Sequence, residues 1–414
     1  MFRPINISLA PNLLPKDILI AVKYLLLPWT WLKWKRGGQI AKLESAFKNY
    51  FNVRESFSFS SGRACLSVIL KALAIGEGDE VILQAYTCVV VPNAIIWAGA
   101  RPVYADIDQS LNIDPGQLES KVTDKTRAII VQHTFGYPAD LAAIKQIADR
   151  RNLILIEDCA HSLGAKYNNQ LVGTFGQAAF FSFGRDKVIS SVAGGILITD
   201  DQELAGKIKK IRQSTDFQTR FKIFQDLFHP AAMAFIIPWY NFLGLGKLIL
   251  FIFQKIKLLN KVYSRSEKKY EMPADLVTRL PNSLAEIALN QFNYLQKFNA
   301  RRRTVAEVYR QSLNNFKAQM INNNSEPVYL RYTLLDKNAR NILKEARKNV
   351  LILGDWYDHV ISPAWVDLTR VDYQKGSCPN AEKFVQESFN LPTYINISQK
   401  EINKIIEFLK RYES

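Results

Sequence analysis

The chain has 414 residues, 48% of them hydrophobic and 22% charged, which excludes a disordered, collagenous or repetitive chain and allows a sizeable core. Its 54 basic and 38 acidic side chains leave a formal charge of +16. No RNP, zinc-finger or basic-zipper pattern goes with that excess, so no nucleic acid is expected and an anionic membrane surface is the better candidate partner. Cys65, Cys88, Cys159 and Cys378 lie far apart, as do His133, His161, His229 and His359. Neither a disulfide framework nor a metal is expected, and a reducing, cytoplasmic setting fits best.

The first segment, residues 1–44, opens on MFRPINISLAPNLLPKD, which lacks the apolar core and cleavage site of a secretory signal. It continues as ILIAVKYLLLPWTWLKWKR, where Trp29, Trp31 and Trp34 stand among Lys33, Lys35 and Arg36. Indole rings beside cationic heads favour a membrane interface.

Residues 45–214 read as a large α/β domain. Short β-branched or apolar runs predict parallel strands over 80–85, 102–105, 128–132, 153–157, 178–182 and 196–199, with helices between them. The crossover helix over 139–150 sets Leu141, Ile144, Ile147 and Ala148 on one stripe.

Residues 215–275 are an apolar and then basic insertion. From Leu227 to Gly246 there is no formally charged residue, and LILFIF follows Lys247. Pro238, Asn241, Gly244 and Gly246 break the run, so two short apolar helices meeting at a bend are expected rather than one membrane span. Two readings stand: core or dimer-interface helices, or a monotopic anchor whose lysines rest on anionic lipid at the cytoplasmic face. Residues 276–414 form a smaller C-terminal domain, with one long helix over 283–313, a strand over 328–335, a helix from 380, an LPTY turn and a last helix over 399–411.

Three local signals carry chemistry. Ser60, Ser61 and Gly62 precede an apolar-striped helix, whose N-terminus is an anion cradle as well as a plain N-cap. Glu157-Asp158-Cys159-Ala160-His161 ends the apolar strand LILI, where α/β folds place ligands; alone, Asp158 is read first as a cap of the following turn. Ser182-Phe183-Gly184-Arg185-Asp186-Lys187 follows the strand AAFFS; alone, such a lysine is an ordinary solvated loop residue.

In order and spacing, SSGRACLSVILKALAIGEGDEVILQAYTCVVVPNAIIWAGARPVYADID, VQHTFGYPADLAAIKQIA, EDCAHSLGAKYNNQLVGTFGQAAFFSFGRDK and CPNAEKFVQESFNLPTYINISQKEINKIIEFLK resemble the segments of the DegT/DnrJ/EryC1/StrS family of sugar aminotransferases. The resemblance implies fold type I, a mainly parallel central sheet with helices on both faces and a small α+β domain. It further implies pyridoxal 5'-phosphate as cofactor, a homodimer, glutamate or a similar amino donor and a keto-sugar acceptor, usually nucleotide-linked.

By the same resemblance Lys187 holds the cofactor covalently and moves the proton, and Asp158 pairs with the ring nitrogen. Gly62, Arg63, Ala64 and Ser182 hold the phosphate, with the Arg63 guanidinium adding a bidentate contact, and His161 lies near the ring hydroxyl. Cys88 stands where the family carries an aromatic ring that stacks on the cofactor, with Tyr86 close by as a substitute. Arg279 is retained from a segment that reaches the partner subunit's phosphate, with Val277 in place of Asn. A dehydratase relative would carry histidine instead of Lys187; a scaffold or regulator that kept the fold without turnover is the remaining alternative.

Overall fold

The computed structural model describes residues 4–260 and 263–413. Its central sheet has seven strands: β1 (Glu55–Phe59), β2 (Glu80–Gln84), β3 (Arg101–Ala105), β4 (Thr126–Gln132), β5 (Ile154–Asp158), β6 (Ala178–Ser182) and β7 (Gly195–Thr199). Across the sheet they lie in the order β1, β7, β6, β5, β4, β2, β3. β7 is antiparallel to both neighbours and every other pair is parallel. The carboxyl ends of β1, β2, β4, β5 and β6 therefore meet along one edge, where such sheets bind ligands.

Alternate residues of each strand enter different cores, as the two-residue period of a strand requires. In β4, Ile129 and Val131 join one cluster while Ala128 and Ile130 join the other. Helices cover both faces, among them α1 (Pro15–Leu26), α2 (Gly38–Phe51), α3 (Gly62–Ala72) and α4 (Leu141–Arg150). α4 buries the four stripe residues expected of it and is capped by Asp140, which accepts from Ala143 N at 3.2 Å.

β1 escaped the sequence reading because ESFSF alternates Phe with Ser and offers no apolar run. Its serines are buried only because Glu44 of α2 meets them: Ser58 Oγ donates to Glu44 Oε1 at 2.6 Å and Ser56 Oγ to the Glu44 carbonyl at 2.7 Å.

The insertion forms two short helices, α5 (Arg220–Ile236) and α6 (Leu245–Lys255), joined through the turn Ile237–Trp239 and Gly244 at φ +72°. Among the described residues no helix is long and apolar enough to cross a membrane. The single helix expected over 283–313 is two, α7 (Asn282–Phe292) and α8 (Leu295–Ser312). The change of core comes within α8: Leu284 and Ile287 of α7 and Leu295 and Phe298 of α8 pack with the large domain, Val305 and Tyr309 with the small one.

The small domain is built on an antiparallel sheet of β8 (Lys317–Ala318), β9 (Arg331–Leu335) and β10 (Ser388–Pro392), with β9 in the middle. Part of the expected LPTY turn is thus strand: Phe389 and Leu391 are buried in the small core, and Pro392 ends the strand, where its missing N–H costs no ladder bond. Ile5–Asn6 pairs with Leu351–Ile352, so the first segment is tied to the small domain. Further along, α1 packs against α5 and α7.

Candidate active site

Lys187 lies on the loop between β6 and β7, which closes through Phe183 N to Gly194 O at 2.8 Å and Ser191 N to Phe183 O at 3.1 Å. Asn12 and the buried Arg302 pin the loop further, donating to the Lys187 and Val188 carbonyls at 2.6 and 2.7 Å. Lys187 is therefore not a solvated loop lysine. Its Nζ stands 2.8 Å from His161 Nε2 and 5.6 Å from the Trp356 ring centroid.

His161 follows β5 and lies on Phe135, with ring centroids 5.7 Å apart and planes 15° apart. Its Nδ1 accepts from Phe135 N at 3.3 Å, which leaves the ring proton on Nε2 and directs it at Lys187 Nζ. Burial, followed by the charges of Lys187 and Arg331, holds the imidazole well below its ordinary pKa, so the ring is neutral.

Asp158 ends β5 beside Phe180 of β6. Its Oδ1 accepts from Ala160 N at 3.0 Å, and its Oδ2 accepts no hydrogen bond among the described residues. Burial raises its pKa against the Ala160 hydrogen bond and the charges of Lys187 and His133. A buried carboxylate with an unused oxygen awaits a cationic donor.

The phosphate end also forms a cradle. Ser61 caps α3, accepting from Ala64 N at 3.1 Å, so that amide is already engaged. A Cβ on Gly62 would lie 3.1 Å from Ser182 Cβ, and one on Gly195 only 2.6 Å from Gly62 N. Side chains at either position would push the helix start away from Ser182. The expected guanidinium contact is not what the structure shows: Arg63 forms an ion pair with Glu267 of the insertion, held on its other side by Ser264 N at 2.7 Å from Oε2.

Cys88 lies in this group, with its Sγ 3.3 Å from Tyr263 Oη. Tyr86, expected as a substitute for a stacking ring, is engaged within the protein. It is wholly buried at φ +69°, its hydroxyl is 2.7 Å from Ser388 Oγ, and it meets Tyr357 edge-on at 5.2 Å. Arg279 bridges Phe59 and Phe217 through its backbone, and its guanidinium lies over the Phe217 ring at 4.6 Å. Val277 packs against the core.

Sequence reasoning missed Arg331, Trp356, Tyr263 and Glu267. Asp186, unexplained in the sequence, pairs with Arg331 at 2.6 Å, and the Arg331 guanidinium shares the Trp356 ring with Lys187 at 5.7 Å. Burial would raise the Asp186 pKa, but the charges of Lys187 and then Arg331 hold it below the usual carboxylate range. Only the buried position of Arg331 within a strand, read as YLRYTLL, could have marked it.

His133, Glu157 and Cys159 offer ligand atoms within 4.8 Å of one another. Their donors are already committed: Glu157 accepts from Gly173, Phe175 and Gly176 N at 2.7, 2.7 and 2.9 Å and lies 3.2 Å from His133 Nε2, while His133 Nδ1 accepts from Ala139 N at 3.1 Å. Burial keeps the Cys159 thiol protonated. The cluster is a brace behind Asp158.

The open Asp158 oxygen, the amine facing a neutral imidazole and the glycine-lined cradle at Ser182 together fit pyridoxal phosphate. The sequence model of the DegT/DnrJ/EryC1/StrS aminotransferase family matches residues 27–227 and 253–410. The chain is 29% identical over 390 residues to the Pleiotropic regulatory protein of Geobacillus stearothermophilus, covering 91% of each. It is 28% identical over 396 residues to the GDP-perosamine synthase of Escherichia coli O157:H7, covering 93% of each. In fold it resembles the aminotransferase TlmJ from Streptoalloteichus hindustanus, with a TM-score of 0.76, 23% identity and 98% of each chain covered.

Proposed function

Because the chain belongs to the DegT/DnrJ/EryC1/StrS family of pyridoxal phosphate-dependent aminotransferases, we propose that it moves an amino group from glutamate, or a similar donor, to a nucleotide-linked keto sugar in the making of a surface glycan. The contact that carries this reading is Lys187 Nζ at 2.8 Å from His161 Nε2, beside the unused oxygen of Asp158. The E. coli relative, by its name a GDP-perosamine synthase, supports a sugar acceptor.

Bound here, the cofactor supplies an electron-accepting ring. Asp158, with an oxygen free of protein hydrogen bonds among the described residues, would hold the ring nitrogen in its protonated form, and Glu157 and His133 fix its strand from behind. Ser182 and the first turn of α3 hold the phosphate. Lys187 would take and return the proton at the substrate carbon, in a part-buried site walled by Phe135, Tyr357 and Trp356. Neutral His161 orients that amine without adding a competing charge. We also propose a cytoplasmic homodimer, since Arg279 stands on the segment expected to reach a partner's phosphate.

The test is spectroscopic. Protein loaded with pyridoxal phosphate should absorb in the visible, glutamate should bleach it, and one of a panel of keto-sugar nucleotides should restore it in a ping-pong cycle. A scaffold would absorb and never bleach. Cys88 and the name of the Geobacillus relative favour that second reading; the joint presence of Lys187, Asp158 and Ser182 weighs against it.

A further inference from the structure

The α5–α6 hairpin has no part in the site, and residues 228–252 fall between the two matched stretches of the family. It is an addition that the family's chemistry does not require. One side of α6 is packed: Ile249, Leu250 and Phe253 lie against Ala232, Met233 and Ile236 of α5. The opposite side faces outward and mixes large apolar side chains with lysines: Leu248 is 55% and Phe251 61% exposed beside Lys247 and Lys255, and Leu243 at the bend is 92% exposed. Exposed hydrophobic side chains of this size call for a cover.

The length of α6 limits what that cover is. Its eleven residues extend about 16 Å, half of the roughly 30 Å hydrocarbon core of a bilayer. It lies along an interface rather than across one.

Charge then selects the occupant. From 227 to 266 the chain has no Asp or Glu, while Lys247, Lys255 and Lys257 flank the exposed stripe. A second acid-free run, 18–43, sets exposed Trp29 and Leu32 beside Lys33 and Arg36, just beyond the helix that packs on α5. A second copy of the chain would bring the same cationic face to a self-complementary contact, where like charges oppose it. Anionic headgroups over hydrocarbon match both the lysines and the apolar stripe.

We propose that the α5–α6 hairpin docks the protein on an anionic lipid bilayer, with α6 lying in the headgroup layer. Described residues on either side of 261–262, beyond α6, touch the active site. Asn260 O accepts from Arg185 at 2.7 Å, two residues before Lys187, and Tyr263 meets Cys88. From Ile256 to Tyr263 the chain spans at most about 25 Å, so docking holds the catalytic edge close to the membrane surface.

Cosedimentation of the pyridoxal phosphate-loaded full chain with vesicles tests this. Vesicles of phosphatidylcholine with phosphatidylglycerol should bind it, and vesicles of phosphatidylcholine alone should bind it far less. Each of Lys247→Ala and Lys255→Ala should weaken binding about fivefold, and Leu248→Glu/Phe251→Glu at least tenfold. Glutamate bleaching and the mass in solution should stay as in wild type. Absence of binding to the anionic vesicles, binding unchanged in the double variant, or a double variant of lower oligomeric mass would each overturn the proposal, the last by giving the face to a second subunit.

Discussion

Asp158→Asn separates the chemistry of the site from the stability of the fold. The amide oxygen of Asn keeps an acceptor for Ala160 N, 3.0 Å from the wild-type Oδ1, and the variant is isosteric. What disappears is a buried charge whose second oxygen has no hydrogen-bond partner among the described residues. Because Oδ2 keeps some solvent contact, such a group costs about 1 kcal/mol without cofactor, the low end for an unpaired acceptor. With about 2.1 cal/mol/K of unfolding entropy per residue, a chain of 414 residues moves its Tm by about 1 °C per kcal/mol. The cofactor-free variant should therefore melt about 1 °C higher than wild type at pH 7.

The sign comes from the raised pKa. A carboxyl whose folded pKa exceeds its unfolded one contributes its stability below the unfolded value and loses it as pH rises through the folded value. The Tm gap should therefore open across that window and close below it, where wild-type Asp158 is protonated too. With cofactor the order reverses. Losing a charge-assisted bond to the ring nitrogen should weaken cofactor binding by about 10–150-fold and slow bleaching by glutamate about 10²–10³-fold. Differential scanning fluorimetry without cofactor and stopped-flow absorbance with it measure the two arms. A lower Tm for the cofactor-free variant, or an unchanged bleaching rate, would refute the role given to Asp158.

Three further outcomes are expected. Lys187→Ala should abolish the visible absorbance of the bound cofactor and all turnover while circular dichroism stays native, since the loop is pinned by Asn12 and Arg302 through backbone carbonyls. Arg63→Met should cost about 3–5 kcal/mol in urea unfolding by leaving Glu267 buried without its cation, and Glu267→Gln in the same chain should recover most of that loss. Asp186→Asn should flatten the acid limb of the stability curve: the lowered Asp186 pKa contributes stability above its unfolded value that wild type loses as pH falls through the folded one, visible in Tm against pH.

Period and order along the chain are legible in the sequence, whereas encounters between distant segments mostly are not. Strands β2 to β7 were readable because each is a short apolar run, and Asp158, Ser182 and Lys187 because they come after such runs at the carboxyl edge. β1 was hidden because its serines are buried through Glu44, a partner 14 residues from Ser58. The break between α7 and α8 was hidden because no Gly or Pro marks it and both sides of it pack in the same core.

The same limit explains the phosphate end. Arg63 was placed on an anion because a guanidinium at a helix start invites one, but Glu267, more than 200 residues away, supplies the carboxylate instead. Glu267 and Tyr263 stand just after the apolar hairpin, in the second stretch matched by the family, and set an aromatic ring beside Cys88. That contact is checkable: Tyr263→Phe keeps the ring and loses only the contact to Cys88 Sγ, so it should leave cofactor affinity as in wild type, whereas Tyr263→Ala removes the ring and should weaken it about 2–12-fold, as expected for an aromatic contact of about 0.5–1.5 kcal/mol. Equal affinities for Tyr263→Ala and wild type, read by absorbance titration, would show that Tyr263 contributes no wall and that the site is closed by Trp356 and Tyr357 alone.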